Sequence, residues 1–153
     1  MEFKATIERF KLYEGSIPPE CMKELDKARR LHTPERVTEA IPIYKSVLEK
    51  YSGDLSRTSL AVVSYDLGFA YWVTDQFEEA RASMLSIMEI PGLNEFFYGH
   101  AQCILAFLEA EHKRFDKARS ILDDAEKRYF LEPPAYESAR KMIDDKEAGR
   151  EES

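Results

Sequence analysis

Leu67-Gly68-Phe69-Ala70-Tyr71-Trp72, a polar break at Thr74-Asp75-Gln76, then Phe77-Glu78-Glu79-Ala80: this stretch decides how the whole chain is read. Its second part belongs to a pattern that recurs along the sequence. Val37-x-x-Ala40-x3-Tyr44-x2-Val47, Phe77-x-x-Ala80-x3-Met84-x2-Ile87 and Phe115-x-x-Ala118-x3-Leu122-x2-Ala125 share one helical spacing. A small residue (Ala28, Gly68 or Ala106) stands twelve positions before each central alanine. Such self-similarity predicts a helix pair repeated along the chain. A repeat array carries its sites on an extended surface rather than in a catalytic pocket, so the pattern points to binding.

Working outward, Leu55 to Thr74 is apolar on nearly every side, through Leu60, Val62, Val63, Tyr65, Leu67, Phe69, Tyr71, Trp72 and Val73. A helix of that kind needs neighbours on several faces. Gly68 costs it about 1 kcal/mol of helix propensity relative to alanine, a cost that close approach of a neighbouring helix would offset. Gln76 to Ile90 reads as the partner helix, stopped by Pro91-Gly92. Asn94 caps a helix from about Glu95 to His112, and a tight turn at Lys113-Arg114 leads to one from Phe115 to Tyr129.

Upstream, Pro18-Pro19 opens a helix to about Leu31. Thr33-Pro34-Glu35 reads as the start of the next, reaching Lys50 or Tyr51, with Pro42 predicting a kink or a late start. Phe3, Ile7 and Phe10 form one apolar helical stripe, ended by Gly15-Ser16. Downstream of Pro133-Pro134, residues 135–148 read as a mostly polar helix suited to capping an open stack, followed by a frayed tail. The expected organisation is an amphipathic segment (1–16), a repeat domain (17–132), and a capping helix with tail (133–153).

Composition restricts the functional classes. Hydrophobic residues make up 44% of the 153, enough for a core. The net charge of −7 disfavours nucleic-acid binding, which needs concentrated basic surface. No run of 18 apolar residues occurs, so no membrane span is expected. The charged start MEFKATIERFKLYEG lacks a secretory apolar stretch, and Cys21 and Cys103 then read as reduced thiols of a cytoplasmic protein.

The central unit, Leu67-Gly68-x2-Tyr71 with Phe77-x-x-Ala80 and a proline after the second helix, resembles the tetratricopeptide (TPR) repeat. The third unit keeps Leu105-Ala106 and Phe115-x-x-Ala118 but has Glu109 at the aromatic position. The first keeps Ala28 and Val37-x-x-Ala40 but has Lys27 and Leu31 at the other signature positions. The resemblance covers roughly residues 21–132 and implies an all-α superhelix of about three helical hairpins plus a C-terminal capping helix. By the same resemblance, the first helix of each pair would line the concave side. Partner-binding residues would then be Val62, Tyr65, Asp66, Phe69 and Trp72 from unit two and His100, Cys103, Ile104 and Phe107 from unit three. Unit one would add Met22, Leu25, Arg29 and His32.

Tyr65, Phe69 and Trp72 share a face at i, i+4, i+7. They read either as core or as an apolar groove for a peptide or partner helix, and both hold if Leu67 and Tyr71 pack inside while Phe69 and Trp72 look outward. The carboxylate clamp that some TPR proteins use on C-terminal tails is not matched by Leu25, Arg29, Asp66, His100 and Ile104. Tyr98-Gly99-His100-Ala101-Gln102-Cys103-Ile104-Leu105 is also similar to a segment of small TPR chaperones of type III secretion translocators.

No chemistry is expected. His100 and Cys103 could share a metal, but zinc requires further ligands, and His112 lies three turns on, about 18 Å by helical rise. No phosphate loop occurs, and Lys113-Arg114, Lys117 and Arg119 read as partners of neighbouring carboxylates. The expectation is a non-enzymatic, cofactor-free module that binds another protein. Self-association, with Phe3-Ile7-Phe10 filling its own or a second copy's groove, is the structural alternative.

Overall fold

The computed structural model describes residues 17–150. The expected Phe3-Ile7-Phe10 helix lies outside the described residues, as do residues 151–153 of the tail. Among the described residues seven α-helices follow one another: α1 Pro19–Leu31, α2 Val37–Tyr51, α3 Arg57–Val73, α4 Phe77–Met88, α5 Glu95–Glu111, α6 Phe115–Arg128 and α7 Ala135–Glu147, with a 3₁₀ turn at Ser52–Asp54. No strand occurs among the described residues, and the fold is all-α.

Local chemistry sets the boundaries. The Ser56 hydroxyl accepts from the Ser59 N–H at 3.1 Å and opens α3. The Asn94 side chain accepts from the Phe96 N–H at 3.0 Å and opens α5. Thr33 caps no helix with its side chain. The chain turns over Thr33–Arg36, and α2 starts late, at Val37. Pro42 is then its sixth residue, so only one intrahelical hydrogen bond is lost to the missing N–H.

The two hairpin turns at the ends of α3 and α5 repeat each other bond for bond. Gln76 N–H donates to Tyr71 C=O at 2.8 Å and Asp75 N–H to Trp72 C=O at 3.1 Å. Thirty-eight residues on, Arg114 N–H donates to Glu109 C=O at 3.0 Å and Lys113 N–H to Ala110 C=O at 2.9 Å. Asp75 and Lys113 both take the left-handed conformation, at φ 62° and 61°. These are Schellman closures in which a side-chain-bearing residue occupies the position glycine normally takes. The first hairpin departs from them: there the Thr33 C=O accepts from the Arg36 N–H at 3.1 Å and from the Val37 N–H at 2.8 Å.

The chain divides into two compact units at Gly92–Leu93. In the first, α1 pairs with α2, α2 packs on α3, and α3 pairs with α4. Its core contains Leu25 and Ala28 from α1, Ala40, Tyr44 and Val47 from α2, and Ala80, Met84 and Ile87 from α4, all essentially inaccessible. The repeated pattern is therefore the buried side of each second helix. Thirteen of the seventeen α3 residues are buried, as an apolar helix with neighbours on several faces must be. Gly68 serves the close approach that its cost implied. A Cβ there would lie 2.6 Å from Met84 Cε and 3.0 Å from Ser83 Cβ.

In the second unit, α5 pairs with α6, and α7 packs on both. Cys103, Ala106, Ala118, Leu122, Ala125, Leu131, Tyr136, Ala139 and Ile143 form its core. Tyr136 is the anchor of α7. Its hydroxyl lies 2.7 Å from Tyr129 C=O and 3.2 Å from Ala125 C=O, the end of α6. The outer face of α7 is held by ion pairs. Arg119 bonds Asp144 and Glu147, and Arg140 bonds Asp123 and Glu126. Arg119 thus finds neighbouring carboxylates, as its cluster predicted.

Candidate functional site

In the first unit the expected docking residues come from α1 and α3. Tyr65, Phe69 and Trp72 lie along α3, and His32 stands at the end of α1. His32 stacks on Phe69 with centroids 5.8 Å apart, and Phe69 meets Trp72 edge-on at 5.8 Å. His32 Nδ1 also hydrogen-bonds the Tyr44 hydroxyl at 2.9 Å. A continuous aromatic run thus joins Tyr44, His32, Phe69 and Trp72 across three helices. The sequence placed His32 on this side. It gave no sign of Tyr44, which lies on α2 and was read only as part of the repeat pattern.

This strip is closed to solvent. Tyr65 and Phe69 are 7% exposed and Trp72 is 9% exposed, while Val62 and Asp66 are fully buried. The expectation that Leu67 and Tyr71 pack inside while Phe69 and Trp72 look outward is corrected, since all four are buried to a similar degree. Helical spacing identifies residues that share a face; it does not say whether that face is covered. Of the residues expected from unit one, Leu25 is buried with His32, Met22 is half-buried and Arg29 is exposed.

In the second unit the expected residues lie on α5 and separate. His100 and Phe107 are half-buried, and Ile104 is buried. The Phe96 ring meets His100 edge-on at 5.0 Å, a pair that i, i+4 spacing could have disclosed. Cys103 belongs instead to the core shared with α7. Burial pushes its thiol up to about 12, with Arg140 opposing weakly, so it stays protonated at neutral pH. A protonated core thiol is neither a nucleophile nor a ready metal ligand. Both cysteines are free and buried.

Two further buried polar groups, His32 and Glu109, are tied to neighbouring side chains. Burial lowers the His32 pKa to about 4, so the ring is neutral at pH 7. Glu109, which takes the place of the repeat's aromatic, is 1% exposed and pairs with Arg114 and Lys117 beyond the hairpin turn. The buried carboxylate is thus compensated by cations from the turn and the next helix. Among the described residues no three His, Cys, Asp or Glu side chains are grouped to hold a metal ion. No described helix is long and apolar enough to cross a membrane.

In comparisons with known proteins, no family model, no curated protein and no solved structure matches this chain.

Proposed function

We propose that this protein is a non-enzymatic interaction module that docks a peptide or helix of another protein against the aromatic residues of its first-of-pair helices. The observation that carries this reading is the aromatic run from His32 of α1 to Phe69 and Trp72 of α3. Two successive hairpins contribute to one strip, which is how a repeat array builds a surface larger than one repeat. Aromatic side chains supply large contact area at small entropic cost, and they concentrate binding energy at interfaces. Because the strip is closed, docking there follows its uncovering.

The duplicated Schellman turns and the fully buried pattern alanines support membership of the TPR class. Two unpaired, buried cysteines support a reducing compartment such as the cytoplasm. Acidic surface and a neutral aromatic strip favour an apolar or mildly basic partner segment over nucleic acid.

Affinity capture from the native lysate tests the reading. Phe69→Ala removes the ring at the middle of the strip and should reduce capture of the same partner at least fivefold, with the helical circular dichroism retained. Undiminished capture by the folded variant would contradict the proposal.

A further inference from the structure

We propose that α7 is a lid on the second unit: it opens as one piece about the Glu132–Pro134 connection, while the α5–α6 hairpin beneath it stays folded, and so uncovers one face of α5.

The seat of the lid is defined at both ends. A Cβ at Gly99 would lie 2.9 Å from the Leu131 side chain and 3.0 Å from the Tyr136 hydroxyl, so the missing side chain makes the notch that receives the start of α7. Cys103 stands one turn further along α5, in the core that Tyr136, Ala139 and Ile143 of α7 complete. At the far end Lys146 pairs with Glu111, the last residue of α5, at 3.1 Å. α7 therefore runs parallel to α5. It runs antiparallel to α6, because Tyr136 reaches Ala125 and Tyr129 while Asp144 and Glu147 reach Arg119 in the first half of α6.

The hold on this seat is narrow. Three of the thirteen α7 residues are buried, against ten of the seventeen in α5. Glu137, Ser138, Lys141 and Met142 are exposed. No side chain caps the first turn of α7. A helix of this length is marginal in water by itself, so its stability comes from the face it buries. The ion pairs of Arg119 and Arg140 set its register but are solvent-exposed, and such pairs add little hold. Glu132, Pro133 and Pro134 are exposed and free to swing, whereas Leu131 is buried against Gly99 and stays with the hairpin. An end element that rests on one hairpin opens at the cost of that single interface, well below the cost of unfolding the unit.

Cys103 reports on the lid, and Cys21, buried in the first unit, is the internal reference. The unaltered chain is labelled with N-ethylmaleimide, and both cysteines are followed by peptide mass. Labelling of Cys103 should rise with urea at about a third of the slope of global unfolding or less, because lifting α7 exposes a small part of the surface. Hydrogen exchange should be at least about ten times faster at residues 139–147 than at residues 101–110. Tyr136→Phe loosens the anchor and should speed Cys103 labelling about fivefold while leaving Cys21 unchanged. Amides of α7 as protected as those of α5, or Cys103 labelling in step with global unfolding, would overturn the proposal, and both are read on the unaltered chain. So would a folded Tyr136→Phe variant that labels Cys103 at the parent rate.

Discussion

His32 shows how a single buried ring ties stability to pH. It lies between Tyr44 and Phe69, hydrogen-bonded to the first and stacked on the second. Its folded-state pKa of about 4 is below the ordinary 6.5, so the unfolded chain takes up the proton first. The stability tied to the neutral ring is complete above pH 6.5 and is lost as pH falls towards 4, at most about 3 kcal/mol. Thermal melts between pH 7 and pH 4.5 should therefore show a loss several degrees larger in the parent than in His32→Gln. Equal losses would mean that the ring does not titrate as its burial requires. Gly68 makes a steric statement at the same scale. Leucine there meets Met84 and the Ser83 Cβ and should cost about 2–3 kcal/mol by overpacking, read as a lowered melting temperature. Lys113 gives the opposite sign. Glycine at its positive φ should raise stability by up to about 1 kcal/mol, while valine there should lower it.

At the scale of elements, the helices were legible because their ends carry chemistry. Asn94 before α5, Pro91-Gly92 after α4 and Pro133-Pro134 before α7 each mark a boundary that the structure keeps within a residue or two. Thr33-Pro34-Glu35 misled, because the segment closes into a turn and α2 begins only at Val37. The three pattern alanines were legible as packing positions, since a Cβ-only residue at a helical period marks close contact. Cys103 was not. Its spacing fits the expected concave face of α5, but α7 arrives from sequence thirty residues on and takes it into the core. The hold of α7 on α6 supplies a test. Tyr136→Phe removes the hydroxyl from Ala125 C=O and Tyr129 C=O and should cost about 1 kcal/mol, measured by urea titration. The exposed pairs of Arg140 contribute less, so Arg140→Ala should move the same titration little.

For the molecule as a whole, repetition explains both what could be read and what could not. A repeated hairpin announces its fold through local period alone, and of the seven described helices only α2 starts away from its sequence punctuation, at Val37 rather than at Pro34. What lies over the aromatic strip depends on contacts distant in sequence, and period carries no information about those. The strip therefore reads from sequence as either core or groove, and in the structure it is closed. Under the proposed function the strip is a docking face that a partner must uncover. Trp72 emission on addition of a partner captured from lysate is the most direct measurement of that claim. Docking at the strip predicts a shifted emission, because the partner changes the surroundings of the buried indole. A partner that binds and leaves the Trp72 spectrum unchanged would contradict it.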